Sequence, residues 1–154
     1  MKIYGSQNKR KGQYQIIIEM LLVLVGIMIA GYTFSLFTDV KTGANTIAVR
    51  DSFTVIADQV VNGVVKASAT PNSIQRIRIP GKIAETSYKI TLDGARNVVN
   101  VTSLGTGGIT VTKQIFNIGQ PNRIRNSEVS GSSLVVEVVS EAGEIRIRRG
   151  NWTS

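Results

Sequence analysis

An unbroken apolar stretch is the first pattern in the chain. From Ile16 to Phe37 nearly every residue is apolar, glycine or small, and Glu19 carries the only charge. The stretch contains 22 residues, whereas a helix needs about 20 to span the hydrocarbon of a bilayer. The pattern therefore predicts a membrane-length helix with one carboxylate near its start.

A second apolar pattern follows the polar segment at residues 38–46. Its apolar residues recur at spacings of three and four, which places them on one face of a helix. They are Val49, Phe53, Ile56, Val60, Val64 and Ala67. Pro71 disfavours helix in the residue before it. We predict one long helix over residues 13–68, with residues 13–37 as its membrane or filament-core segment and a loosening near Gly43.

Alternation replaces the helical period after residue 73. Six short segments rich in β-branched residues, separated by glycine-containing turns, predict strands. They lie at residues 74–79, 88–92, 97–103, 109–115, 133–140 and 144–149. Asp93-Gly94 and Ala142-Gly143 are turn signals, and the polar segment at residues 117–133 predicts a long exposed loop. The predicted fold class is α+β, a long hydrophobic N-terminal helix followed by a small antiparallel β-sandwich-like domain at residues 74–154.

The predicted helix also constrains how the chain is placed. A helix over residues 13–68 would reach about 80 Å, and the small domain that follows could not match that length. Its first half would protrude with apolar residues on every side. Such a surface must lie in lipid or among copies of itself.

Composition excludes several classes of function. The 154 residues include no His and no Cys, which removes imidazole and thiolate metal ligands and every Cys/His or Ser/His nucleophile. The acidic residues show no metal-loop spacing. The glycine-rich segment at residues 104–108 lacks the Lys-Ser/Thr ending of a phosphate-binding loop and instead predicts a hairpin turn. We expect no catalytic residues, no metal and no cofactor.

Net charge of +8 is unevenly distributed along the chain. Four basic residues and no acid precede the apolar stretch; they are Lys2, Lys9, Arg10 and Lys11. The far end of the stretch has Asp39 and Lys41 nearly balanced. The positive-inside rule therefore predicts a cytoplasmic amino end, with the rest of the chain outside.

The segment KRKGQYQIIIEMLLVLVGIMIAGY, from Lys9 to Tyr32, resembles the leader and first helix of an archaeal type IV pilin. The family pattern is a basic cluster, a Gly, a Gln and then a Glu just inside an apolar run, which Gly12, Gln13 and Glu19 match in order. The resemblance implies that a prepilin peptidase removes residues 1–12 by cutting between Gly12 and Gln13. The apolar helix would stay in the mature protein.

The position of Glu19 departs from the family pattern. The Glu is usually the fifth mature residue, but Glu19 is the seventh when counted from Gln13. A cut before Gln15 would restore the spacing and would place bulky Tyr14 before the cut. The small Gly12 favours the first site, and both stay open. The resemblance implies that Glu19 sets subunit register by pairing with the N-terminal amine of a neighbouring subunit.

Two functions follow as expectations. The first is a pilin, a structural subunit of a cell-surface helical homopolymer. Its partners would be copies of itself, the prepilin peptidase, a membrane assembly platform and the membrane before assembly. Adhesion is preferred to swimming because the start lacks the Gly/Ala/Ser-rich motif of an archaellin. The alternative is a single-pass membrane protein that does not polymerise and presents its β-domain outside as a binding or adhesion module.

Modification and ligand contacts complete the predictions. Two sequons begin at Asn100 and Asn151, and the first falls within a predicted strand. Four arginines alternate with isoleucines in two strands; they are Arg76, Arg78, Arg146 and Arg148. They form either a solvated strand face or a contact for polyanions such as surface glycans. No aromatic residue alternates with them as a base-stacking groove would require, which disfavours nucleic acid.

Overall fold

The computed structural model of the chain describes residues 7–105, 108–118 and 123–151, with side chains from Tyr14 onward. These residues form one α-helix and eight strands. They are α1 (Gln7–Ala69), β1 (Ile74–Arg78), β2 (Tyr88–Asp93), β3 (Val98–Ser103), β4 (Thr110–Gln114), β5 (Arg123–Ile124), β6 (Ser127–Ser130), β7 (Val135–Glu141) and β8 (Glu144–Arg149). The chain divides into two compact units between Ala44 and Asn45. The fold is α+β, as the sequence predicts.

Helix α1 ends close to the residue that the sequence predicts, but it begins earlier than predicted. It begins at Gln7, so part of the predicted leader is helical, and it ends at Ala69, two residues before Pro71. The backbone is helical through Gly43, and a Cβ placed there would meet no atom within 4 Å. The predicted loosening near Gly43 is therefore absent from the described helix.

Within the second unit, the last part of α1 buries the stripe that its sequence period predicts. Its buried apolar side chains are Val49, Phe53, Ile56, Ala57, Val60, Val64 and Ala67, each at most 4 % exposed. Polar residues between them, such as Asp58 and Asn62, are exposed. The stripe joins the strands in one continuous hydrophobic core. This part of the helix therefore belongs to the core of the β-domain.

The strands form two four-stranded sheets. The first has the order β1-β7-β8-β5 and the second has the order β4-β3-β2-β6. Every pairing is antiparallel except that of β5 with β8. The six predicted strands are present as β1 to β4, β7 and β8.

The prediction of a long loop at residues 117–133 was wrong for the second half of that segment. Strands β5 and β6 and a 3₁₀ turn at Gly131–Ser133 lie there. Strand β6 contains one apolar residue, Val129, which is buried. It pairs with β2, from Ser127 opposite Leu92 to Ser130 opposite Lys89. Four residues with one apolar side chain are too few to show an alternation, so pairing along β2 rather than local pattern stabilises this strand.

The second half of α1 contacts strands of both sheets. The Phe53 ring packs on Tyr88 of β2 at a centroid distance of 5.4 Å. Lys113 of β4 places its Nζ 3.0 Å from Oδ1 of Asp58. On the side of the first sheet, a Cβ at Gly63 would lie 2.6 Å from Cδ1 of Ile77 in β1. Glycine at this position therefore lets the helix backbone approach β1 closely.

Two turns behave as the sequence predicts. Ala142 and Gly143 join β7 to β8 with φ angles of 50° and 79°, the two positive values that a type I′ hairpin requires. At the β2–β3 connection, Oδ1 of Asp93 accepts hydrogen bonds from the backbone N–H groups of Ala95 and Arg96. This Asx-type arrangement is why Asp favours the position before Gly94.

Tyr88 is the largest side chain in the core that is fully buried. Its hydroxyl donates a hydrogen bond to the carbonyl oxygen of Pro80, and its ring lies against Gly131. Burial raises the pKa of Tyr88 to about 12. Because this pKa lies above the ordinary value, the folded state keeps its full stability below about pH 10 and loses part of it as the pH rises toward 12.

Replacement of Gly131 by Ala tests this packing. The new Cβ would lie 2.6 Å from the Tyr88 ring, which is fully buried. We expect Gly131→Ala to lower the free energy of unfolding by about 1–3 kcal/mol, the usual cost of overpacking. Thermal unfolding of the full chain in detergent, followed by near-UV circular dichroism, measures the change.

Gly105→Ala is the matched control. A Cβ there would lie 3.8 Å from its nearest neighbour, a methyl group of Thr86, so we expect a change of at most about 0.5 kcal/mol. Equal stability of the two variants would contradict the packing described for Tyr88.

Candidate functional site

In the first unit, α1 exposes large apolar side chains on every side. We call residues 16–37 the apolar helix surface. Individual exposures run from 41 % at Val25 to 77 % at Phe34. Because exposed apolar residues follow one another without a gap, as in Leu21–Val25, no polar face interrupts this surface. By length and composition, α1 is the one helix among the described residues that is able to cross a membrane.

Glu19 lies within the apolar helix surface. Its neighbours along the same side of α1 are Ile16, Met20, Val23, Leu24 and Ile27. Among the residues whose side chains are described, no lysine or arginine forms an ion pair with Glu19. A carboxylate in an apolar environment is costly unless a cation or a donor pairs with it. In an apolar environment, Glu19 would therefore need a partner that the described side chains do not supply.

Three threonine hydroxyls on the same helix are already satisfied. The Oγ1 atoms of Thr33, Thr38 and Thr42 donate to the backbone carbonyl four residues earlier, at 2.8, 3.0 and 2.9 Å. Such back-bonding lets a hydroxyl sit in an apolar medium without an outside partner. These threonines therefore fit an apolar environment as they stand, in contrast to Glu19.

A second candidate site is the outer face of the first sheet. Strand register places the four predicted arginines on this one face, which we call the arginine face; they are Arg76, Arg78, Arg146 and Arg148. Glu137 of β7 lies between β1 and β8, opposite Arg76 on one side and Arg148 on the other. The prediction that these arginines share a face is consistent with this register.

Glu137 neutralises part of that face. Its Oε1 accepts from Nε of Arg76 at 3.0 Å and its Oε2 accepts from Nε of Arg148 at 2.9 Å. Its side chain is 7 % exposed. The hydrogen bond from Arg148 and then that from Arg76 hold the pKa of Glu137 below its ordinary value, although burial opposes them. A further pair joins Arg146 to Glu141 at 3.3 Å, so much of the predicted positive charge is balanced within the sheet.

The role of Glu137 was missed by sequence reasoning. The available signal is a single acid inside an apolar strand, VVEVV at residues 135–139. Burial of an unpaired carboxylate is costly, so such a residue calls for cationic neighbours. The identity of those neighbours depends on the register of β1 and β8 against β7.

The remaining predicted residues are dispersed. Asn100 lies in β3, an inner strand of the second sheet, and its Oδ1 accepts a hydrogen bond from Oγ1 of Thr112 at 2.7 Å. Asn151 is exposed, but the rest of its sequon lies outside the described residues. Gly12 and Gln13 fall in the backbone of α1, and the side chain of Gln13 lies outside the described part. Within that part, no cluster of three or more Asp or Glu side chains is placed to hold a metal ion.

Together, the helix and sheets define an α+β protein with one membrane-length apolar helix. A family model matches residues 16–149, which is most of the chain, and the chain therefore belongs to that family, described as a family of unknown function (DUF7266). The match runs from the start of the apolar helix surface to the last residue of β8. No curated protein matches the chain, and no solved structure does.

Replacement of Glu137 by Gln tests the buried ion pair. We expect Glu137→Gln to lower the free energy of unfolding at pH 7 by about 2 kcal/mol. The expected loss is smaller than the roughly 3–5 kcal/mol of a fully buried pair because the side chains of Arg76 and Arg148 are 59 % and 49 % exposed. Chemical denaturation of the full chain in detergent measures it.

The pH dependence provides a second readout. Because the pKa of Glu137 is lowered by folding, its contribution is complete above the ordinary value of 4.5 and is lost as the pH falls through the lowered value. The variant should therefore lose less stability than the parent chain below pH 4.5. Glu128→Gln, at a side chain that is 66 % exposed, is the control and should change stability at pH 7 by less than about 1 kcal/mol. If the free energy of unfolding fell equally in the Glu137 variant and in the parent chain as the pH is lowered, this role would be refuted.

Proposed function

We propose that the chain is a pilin-type filament subunit. The apolar helix surface first anchors the chain in the membrane and then packs against other copies during assembly. The observation that supports this proposal is the extent of that surface, which leaves large apolar side chains uncovered on every side of α1. Water cannot cover it without a large free-energy cost, at about 25 cal/mol per Å². Lipid covers it before assembly, and the same helices of neighbouring copies cover it afterwards.

Glu19 supports the filament over a permanent anchor. Cutting between Gly12 and Gln13 creates a new amine six residues before Glu19. In a helix that rises about 1.5 Å per residue, this amine lies about 9 Å along the axis from Glu19, too far for an ion pair within one chain. The amine of a neighbouring copy, displaced by about six residues along the helix, reaches it. Pairing would neutralise two charges that are each costly in an apolar medium.

A cut before Gln15 changes this geometry. It places the amine four residues before Glu19, or about 6 Å along the axis. A neighbour would then need a displacement of about four residues rather than six. The cut site and the subunit stagger are therefore linked, and determining one predicts the other.

The proposed topology follows from the basic residues before the apolar stretch. They hold the amino end in the cytoplasm, and the β-domain lies outside the cell. A prepilin peptidase and a membrane assembly platform are the partners that this route requires. In the assembled filament the β-domain forms the outer surface, where it serves in adhesion.

A single-pass anchor is the second candidate. The observation that favours it is that one membrane-length helix with back-bonded threonines satisfies lipid by itself. In that case the β-domain acts as a binding module and no copy-to-copy contact is needed. Glu19 would then lie near the headgroups and pair with water rather than with an amine.

The mature N-terminus distinguishes the two candidates. Intact-mass measurement and N-terminal sequencing of the protein from its native membrane or cell surface should show loss of residues 1–12, with Gln13 first. A mature chain that begins at Gln15 would support the filament with the smaller stagger. A chain that retains residues 2–12 would support the anchor and contradict the filament.

The role of Glu19 has its own test. We expect Glu19→Gln and Glu19→Ala to leave leader removal unchanged, because the residue lies beyond the cut, while surface filaments fall at least about tenfold. Immunoblotting follows processing, and electron microscopy counts filaments, with a strain that lacks the chain as the baseline.

Asp39→Asn is the matched control, since Asp39 is the acid just after the apolar stretch. It removes one carboxylate charge without touching the apolar helix surface and should leave the filament yield within about twofold. Normal filaments in both Glu19 variants would rule out a register role for this carboxylate.

A further inference from the structure

A polar groove runs between the second half of α1 and the free edge of β1. Strand β1 pairs with β7 on one side and ends its sheet on the other. The groove has a volume of about 390 Å³, within the range of about 300–1,000 Å³ that is common for small-molecule sites. We call it the β1 groove; its lining residues are Gln59, Asn62, Gly63, Lys66, Gln75, Arg76, Ile77 and Arg78.

The lining has an unusual charge balance. It contains the three cations Lys66, Arg76 and Arg78 and no carboxylate, although the arginine face beside it is largely balanced by acids. Among the described residues, Lys66 forms no ion pair. Arg76 is paired with Glu137 from outside the groove, so Lys66 supplies the positive charge that attracts an anionic ligand.

Arg76 is held in place by an acid that lies outside the groove. Glu137 accepts a hydrogen bond from its Nε at 3.0 Å, and within the described structure its two terminal nitrogens have no partner. A guanidinium fixed through Nε keeps the planar donor geometry that recognises a carboxylate. The buried Glu137 thus positions a cation at the border of the groove.

Three amide side chains complete the polar part of the lining. Gln59 and Asn62 are three residues apart on α1, Lys66 follows four residues later, and all three are exposed. This spacing places them along one side of the helix. Gln75 adds a third amide from β1. Amides both donate and accept hydrogen bonds, so they match the hydroxyl groups of a sugar.

We propose that the β1 groove binds an acidic saccharide whose carboxylate pairs with Lys66 and Arg76 and whose hydroxyl groups contact the three amides. Nucleic acid fits less well, because the described lining has no aromatic side chain on which a base stacks. The inference rests on the proposed function only for its biological use in adhesion. Binding itself requires residues of the second unit alone, so it holds whether or not the chain polymerises.

A binding measurement on the full chain in detergent tests the proposal. The probes are an oligogalacturonate of defined length, a neutral dextran oligosaccharide of similar length, and a double-stranded DNA oligonucleotide. We expect the oligogalacturonate to bind with an affinity that falls as salt is raised and the dextran not to bind. Lys66→Gln should weaken oligogalacturonate binding about tenfold, as expected for loss of one hydrogen bond to a charged group.

Lys89→Gln is the matched control, because Lys89 lies on the second sheet and pairs with Glu128. It removes the same charge outside the groove and should leave the affinity within about twofold. An equal loss in both lysine variants would overturn the site, since net charge alone would then explain binding. Tighter binding of DNA with the same dependence on Lys66, or no binding of oligogalacturonate, would overturn the ligand class. Each of these results is separate from leader removal and filament yield, which test the proposed function.

Discussion

An uncovered apolar helix surface is the constraint on which the rest of the molecule depends. Residues 16–37 place large apolar side chains on every side of α1, and nothing in the described chain covers them. A surface of this kind requires lipid or other copies of the protein. Under the proposed function, orientation, processing and assembly are linked, because the chain would first enter a membrane and then exchange lipid for protein without exposing this surface to water.

Two acidic side chains, Glu19 and Glu137, lie in contrasting surroundings. Glu19 is an acid without a described partner inside the apolar helix surface, whereas the nearby threonines satisfy themselves through the helix backbone. In the proposed filament, a single carboxylate without a described partner would favour one alignment between neighbouring helices. In the β-domain, Glu137 is the contrasting case, since its own sheet supplies two arginines. Under the proposed function the first acid pairs with a neighbouring copy, whereas the second is paired within its own sheet.

Sequence alone predicts much of this fold where the pattern is long. The buried stripe from Val49 to Ala67 and the hairpin at Ala142-Gly143 were both predicted, because helical period and turn chemistry are local properties. Strand β6 was missed because Val129 is its one apolar residue. The pairing of Glu137 and the β1 groove were beyond prediction for another reason. Both depend on which strands lie side by side and on how α1 packs against β1, and no local pattern fixes either.

Cross-linking through introduced cysteines tests the central claim most directly, since the chain has no native cysteine. Ile18→Cys and Val25→Cys are placed together in the apolar helix surface, and the protein is oxidised on intact cells. The account predicts ladders of cross-linked copies in the surface fraction, with poor access for a thiol reagent dissolved in lipid. Monomers in every fraction, with both cysteines labelled from lipid, would show that the helix stays in the membrane and would contradict assembly through this surface.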